Sequence, residues 1–219
     1  MSYATARKAM VDSQLAPNTI TDRAILEIFG TIPKELFLPE AFKHTCYKDE
    51  DIFLPNGRVI IENMTLAKQI QALDLSVDDV VLCLGDISGY AAAILSPMVS
   101  TVVRVEEDPH ALAFSDEVYE ELDMMNIVSI QGGLSQGDKA HAPFSKILLC
   151  GATYAQPMSL IEQLSYDGIM TYVERPNPLA TGEIIKVKRI DHSTLEEEKL
   201  GMSAVPYCLG HEPEKEFAF

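Results

Sequence analysis

Between Asp78 and Glu107 the residue pattern leaves few options beyond a strand, a tight turn, a helix and a second strand. Val80 to Leu84 is a short apolar run, suited to a strand buried on both faces. Gly85 and Gly89 bracket a turn, and Tyr90 to Leu95 supplies apolar and small residues for a helix packed back on the sheet. Thr101 to Val105 is a second, β-branched strand, and it ends in two carboxylates, Glu106 and Glu107. A strand–turn–helix–strand unit of this kind opens the nucleotide-binding half of a doubly wound sheet.

The chain on either side fits that start. Upstream, Tyr3 to Leu15 reads as a helix stopped before Pro17, and Thr21-Asp22 offers a cap for a second helix. Pro33 and Pro39 suit the first positions of two short helical turns. This first quarter is a helical prefix with no strand pattern to join it to a sheet. Tyr47 to Pro55 is extended, Asn56-Gly57 is a turn, Arg58 to Glu62 is an extended link, and Met64 to Leu75 reads as a helix. Downstream, Asp108-Pro109 starts a helix running to about Met124, followed by strands at Ile127–Ile130 and Phe144–Cys150, the latter ended by Gly151. A helix at Pro157–Leu164, a strand at Ile169–Val173 and an alternating, antiparallel segment from Gly182 to Ile190 complete the pattern. The tail past Gly201 has no clear period, and Glu196 to Glu198 reads as a solvated charge run. Strands alternating with helices imply a mostly parallel sheet with helices on both faces. One domain is expected over 1–219, with a helical N-terminal extension at 1–62 and the sheet core and C-terminal strands at 63–219.

A formal net charge of -16 sets the chain against nucleic-acid backbones and anionic membrane surfaces, and no basic cluster offsets it. No run is long enough for a membrane span, and the N-terminus has no apolar signal core. Cys46, Cys83, Cys150 and Cys208 lack metal-ligand spacing, and Cys83 and Cys150 sit in apolar strands, as free cysteines do in a reducing compartment. His44, His110, His141, His192 and His211 are scattered without partners at helical spacing, so no metal site is expected. A cytoplasmic location is the expectation.

Ligands of open parallel sheets bind beyond the carboxyl ends of the strands. Those ends carry Gly85 to Gly89, Glu106-Glu107, Gly132-Gly133-Leu134 and Gly151. Glu106 lies about 20 residues beyond Gly85, where a carboxylate can accept hydrogen bonds from ribose hydroxyls. Turn glycines and solvated carboxylates would give the same pattern without a ligand. A dinucleotide is disfavoured, because the second and third glycines of its fingerprint are Ile87 and Tyr90. Asp86 is read either as a carboxylate facing a ligand, where it would attract a cation or bond a hydroxyl, or as the cap of the following helix.

Several blocks carry a family likeness. Met10 to Leu15, Ile20 to Leu26, Ile32 to Pro39, Tyr47 to Asp51, Val81 to Leu95, Val105 to Glu107, Asn126 to Gly132 and Phe144 to Leu149 resemble protein-L-isoaspartate O-methyltransferases in order and spacing. The resemblance implies a Rossmann-like methyltransferase fold with a seven-stranded sheet, S-adenosylmethionine as methyl donor, and isoaspartyl-containing proteins or peptides as acceptors in protein repair. It matches Gly85, Ser88 and Gly89 to the donor-binding turn, Glu106 to the ribose-binding carboxylate, and Gly132, Gly133 and Leu134 to the loop flanking the adenine; Asp86 and Glu107 beside them complete the candidate donor site. It also exposes departures. Cys83 stands where the family has an acidic residue, and Ile87 replaces the middle glycine of the turn. Gly132-Gly133 replaces Gly-Asp, and Ile61 occupies the place of an acceptor-site serine. A methyl transfer to a carboxylate needs positioning and desolvation more than proton chemistry. Isoleucine forms no hydrogen bond, which leaves Glu62 and Thr65 as the nearest polar candidates. The alternative is a methyltransferase fold that has lost catalysis and serves as a binding protein.

Overall fold

The structure, a computed structural model, describes residues 2–214. Helix α1 (Tyr3–Met10) is capped by the Ser2 side chain, which accepts from the Thr5 amide, and it continues through a π turn at Val11–Leu15. Helix α2 (Arg23–Thr31) starts on Asp22, whose carboxylate accepts from the Ala24 and Ile25 amides. Two 3₁₀ turns, Lys34–Phe37 and Glu40–Thr45, follow the two prolines. The extended link contains a small ribbon unseen in the pattern: β1 (Ile52–Phe53) and β2 (Val59–Ile60) pair antiparallel around Asn56-Gly57. Two residues per strand are too few to show an alternation. The ribbon stands apart from the main sheet.

Helix α3 (Asn63–Ala72) leads to β3 (Val80–Leu84), α4 (Tyr90–Leu95), β4 (Thr101–Glu106), α5 (Pro109–Glu121) and β5 (Ile127–Gln131). Then come β6 (Phe144–Thr153), α6 (Met158–Ile161), β7 (Leu164–Glu174), β8 (Gly182–Arg189) and β9 (Leu195–Ser203). The seven-stranded sheet runs β5-β4-β3-β6-β7-β8-β9; its first five strands are parallel, β8 pairs antiparallel with β7, and β9 pairs antiparallel with β8. The chain steps from β3 outward to β4 and β5, then returns to β6 on the other side. The carboxyl ends of β3 and β6 therefore flank the point where the strand order reverses, and crevices form there.

Three segments differ from the sequence reading. Helix α6 has a single turn, and Leu164 already belongs to β7, which runs through Asp167-Gly168 rather than starting after it. Strand β6 does not stop at Gly151 but passes through it. The glutamate run Glu196–Glu198 lies in β9, the edge strand, with Glu198 opposite Lys186 and Glu196 opposite Lys188. A run of like charges on an exposed edge discourages pairing with another chain.

Side chains alternate across the sheet. Val81, Cys83 and Val102 face a core shared with α2, α3, α4, α5 and the N-terminal turns, while Leu82, Leu84, Val103 and Val105 face a second core closed by α6 and Leu134. Helices cover the two faces unequally. All six residues of α4 are buried, and its three alanines let it lie close on the sheet. After β9 the chain crosses the end of β6, where the Ala152 amide donates to the Pro206 carbonyl (2.9 Å) and the Cys208 amide to the Ala152 carbonyl (2.8 Å). No helix among the described residues is long and apolar enough to cross a membrane.

Gly89 shows how closely the turn is packed. Its φ is +84°, and a Cβ there would stand 2.5 Å from both Ser115 Cβ and the Tyr119 hydroxyl. A left-handed Cβ costs roughly 1–2 kcal/mol and overpacking typically about 1–3 more. Gly89→Ala is therefore expected to lower stability by about 2–5 kcal/mol in urea denaturation; an unchanged midpoint would contradict this packing.

Candidate functional site

The turn after β3 is held from beneath. Arg104, at the centre of β4, is fully buried, and among the described residues it has no carboxylate partner. Its guanidinium donates to the Asp86 carbonyl from Nε (3.1 Å) and Nη2 (2.8 Å) and to Ser115 Oγ from Nη1 (2.7 Å). The Tyr119 hydroxyl donates to the Gly89 carbonyl at 2.8 Å. Carbonyls that a free turn would show to water are thus committed to β4 and α5.

The turn's own side chains face inward. Asp86 accepts from Ser88 Oγ and the Gly89 amide through Oδ1 and from the Ala92 amide through Oδ2, each at 3.0 Å. Of the two readings of Asp86, the helix cap is what the geometry shows. Ser88 is spent in the same network, its Oγ also accepting from the Tyr90 amide at 3.2 Å. Ile87 is buried and lines, with Ile61, Leu66 and Gly85, a void of about 10 Å³.

Glu106 stands at the end of β4, two residues beyond Arg104, with no exposed surface. Arg58, from the ribbon, forks onto it: Nη1 to Oε1 and Nη2 to Oε2, both 2.8 Å. Oε1 also accepts from the Glu107 amide (2.8 Å) and the Asp108 amide (3.1 Å). Burial alone would lower the Arg58 pKa, but the bond to Glu106 and its charge outweigh that and leave it raised. The loop after β5 closes the same corner. The Gly132 amide donates to the Glu106 carbonyl (3.1 Å) and the Leu134 amide to Glu107 Oε1 (3.2 Å). A Cβ on Gly133 would have ordinary contacts only, whereas the Leu134 side chain is buried in the second core. A cavity of about 160 Å³ opens beside this corner, lined by Asn56, Arg58, Ile61, Gly85, Cys208 and Glu212 among others. Burial pushes the Cys208 thiol up to about 12, so it stays protonated at neutral pH.

On the other side of Gly85, the three acceptor-side positions differ in what they can offer. Ile61 is buried, and its carbonyl lies 3.4 Å from Lys34 Nζ. Thr65 is committed to the fold, donating to Glu62 Oε1 (2.6 Å) and lying 3.0 Å from Ser203 Oγ in a hydrogen bond that ties α3 to β9. Glu62 is only partly buried. The buried Lys34 ammonium donates to Asn63 Oδ1 at 2.8 Å and lies 5.2 Å from the centre of the Tyr90 ring. Burial lowers its pKa to about 8, although Asp86 and Asp51 pull the other way. Among the described residues no group of histidine, cysteine or carboxylate side chains is arranged to hold a metal ion.

Gly85, Glu106, Glu107, Gly132 and Gly133 therefore meet at one corner of the sheet, while Asp86, Ser88 and the Leu134 side chain serve the fold. Sequence reasoning missed Arg58, Arg104, Lys34 and Cys208. Only Arg104 carried a signal, an arginine inside a β-branched strand with apolar neighbours on both sides.

A model of the family described as Protein-L-isoaspartate(D-aspartate) O-methyltransferase matches residues 5–206. The chain belongs to this family. Protein-L-isoaspartate O-methyltransferase 2 of Anaeromyxobacter sp. (strain Fw109-5) is 36% identical over 172 residues, 78% of this chain and 71% of the relative. The protein-L-isoaspartate O-methyltransferase of Roseiflexus sp. (strain RS-1) is 32% identical over 212 residues, 96% of this chain and 95% of the relative. Among solved structures, a protein-L-isoaspartate O-methyltransferase superposes with a TM-score of 0.77 at 17% identity, over 96% of this chain and 67% of that one. A Plasmodium falciparum family member described in complex with S-adenosyl-L-homocysteine superposes with a TM-score of 0.74 at 15% identity, over 92% of this chain and 97% of that one. At these identities the two structures speak for the fold.

Lys34 gives this site a measurable signature. The unfolded chain keeps the lysine proton up to about its ordinary 10.5, whereas the folded protein releases it near 8. Between those values the unfolded state binds more protons, so raising the pH favours the folded state. Measured against Lys34→Met, the wild-type protein should gain roughly 3 kcal/mol of relative stability between pH 8 and 10.5. A difference that stays flat with pH would contradict the burial of a charged Lys34.

Proposed function

We propose that the chain is an S-adenosylmethionine-dependent methyltransferase that esterifies the carboxylate of isoaspartyl residues in proteins or peptides. Family membership supports the reaction class. The observation that carries the reading is Glu106, a buried carboxylate at the end of β4, next to β3, that presents both oxygens to a two-pronged donor. A vicinal ribose diol is also a two-pronged donor, and the Arg58 fork stands in for it, so the chemistry of this corner fits the donor's ribose.

Space at the corner is short. Small-molecule sites usually enclose about 300–1,000 Å³, against the 160 Å³ cavity beside Arg58 and the 10 Å³ void beside Ile87. Donor entry therefore requires Arg58 to withdraw and the walls around Ile61 and Ile87 to part.

Bound S-adenosylmethionine supplies a methyl group on a sulfonium, which a carboxylate oxygen takes up without a proton transfer. Glu106 would hold the ribose hydroxyls, and Glu107 and the backbone of Gly132-Gly133 would border the adenine. Ile61, Ile87 and Leu66 would form an apolar wall that strips water from the acceptor carboxylate, which raises its nucleophilicity relative to the hydrated ion. No side chain of the acceptor side has to act as a base, so the absence of a serine hydroxyl at Ile61 removes an orienting bond rather than a proton carrier. Thr65 keeps its hydroxyl in the fold, which leaves Glu62 of these two polar candidates.

Incubated with methyl-labelled S-adenosylmethionine, the protein should transfer label to an isoaspartyl peptide as a base-labile ester and leave the aspartyl isomer unlabelled. Equal, background-level label on both peptides from folded protein would overturn this reading.

A further inference from the structure

The Arg58–Glu106 pair does more than close a corner. Glu106 already accepts two backbone amides, so its Oε1 is supported without Arg58. Arg58 enters from a ribbon held by two residue pairs, directly after an exposed Asn56-Gly57 turn. Its side chain retains 14% of its exposure while that of Glu106 has none, so the guanidinium borders the cavity and the carboxylate lies behind it. Among the described residues lining that cavity, Arg58 is the one cation, and Glu212 the one anion. In a chain of net charge -16, a carboxylate entering here meets repulsion from most of the surface and attraction from this guanidinium. Ile61, three residues further along the same segment, offers it no hydrogen bond.

We propose that Arg58 is an exchangeable occupant of the ribose subsite: a diol binding at Glu106 displaces the guanidinium, and the displaced guanidinium holds the acceptor carboxylate. The inference rests on the proposed function. It makes donor binding a precondition for acceptor capture. Without donor, both prongs of Arg58 are spent on Glu106. With the diol on Glu106, the fork is released at the cavity wall, and a guanidinium binds a carboxylate in the same two-pronged way. Glu106 loses no hydrogen bonds in the exchange, since two hydroxyls replace two N–H groups. The charge of the guanidinium passes from a buried carboxylate of the protein to one brought by the substrate.

Titration calorimetry with S-adenosylhomocysteine and a non-methylated isoaspartyl peptide tests this, using wild type, Arg58→Gln and Arg58→Lys, each checked by its melting curve. Arg58→Gln should bind S-adenosylhomocysteine about tenfold more tightly than wild type, because no ion pair has to be broken. Wild type should bind the peptide about tenfold more tightly with S-adenosylhomocysteine present than without, and Arg58→Gln should lose that gain. Arg58→Lys, which keeps the charge without the fork, should fall between them, and it carries the test if Arg58→Gln does not fold. Equal or weaker S-adenosylhomocysteine binding by folded Arg58→Gln, or a peptide gain that survives in it, would overturn the proposal and leave the methyltransferase reading standing. Absence of S-adenosylhomocysteine binding by wild type and both variants would overturn that reading together with the proposal.

Discussion

The end of β3 depends on a buried guanidinium. Among the described residues Arg104 has left water without gaining a carboxylate, so its charge is met by dipoles: the carbonyls of Asp86 and Ile87 and the hydroxyl of Ser115. Burying a charge without such partners costs several kcal/mol, and this requirement fixes where those carbonyls stand. Once they are fixed, Gly85 and Gly89 take left-handed backbones, Asp86 caps α4, and α4 lies flat on the sheet. Glu106 follows two residues later on the same face of β4, so the strand that holds the turn also carries the carboxylate that faces it. The tightness of the turn and the placement of the candidate ribose-binding group have one cause.

The two isoleucines near this turn have a common geometric consequence. Ile61 and Ile87 come from segments 26 positions apart in the chain and line one small void, with Leu66 and Tyr90 behind. Isoleucine at 87 fills space that a glycine would leave open, and isoleucine at 61 makes a dry wall where a serine would make a hydrogen-bonding one. Both side chains make the corner apolar and closed. The methyl-transfer reading is compatible with such a corner because its transition state gains from exclusion of water rather than from a base.

Much of the fold was legible from local rules. The β3–α4–β4 unit, the caps at Asp22 and Asp108, and the antiparallel β8 all follow from apolar runs, capping side chains and turn residues, and each lies where those rules place it. The failures share a cause in tertiary contact. Gly151 was read as a strand stop, but it lies within β6 because the returning C-terminal segment packs on it: a Cβ there would stand 2.8 Å from Cys208 Cβ. The three consecutive glutamates of β9 have the composition of a solvated run, and they are exposed, yet their backbone pairs with β8, whose lysines stand opposite Glu196 and Glu198. At the candidate site, the strand-end glycines and Glu106 were legible because position alone marks them. Arg58 was not, since its partner lies 48 residues away and nothing in its own neighbourhood signals a charge pair.

On the proposed function the methyl donor lies across the carboxyl end of β3 with its ribose on Glu106, at the end of β4. A crystal structure of the protein with S-adenosylhomocysteine tests it most directly. The account predicts both ribose hydroxyls on the Glu106 carboxylate, Arg58 turned away from it, and the adenine against Gly132-Gly133. A nucleoside bound elsewhere, or an Arg58–Glu106 fork left intact beside a bound ligand, would contradict it.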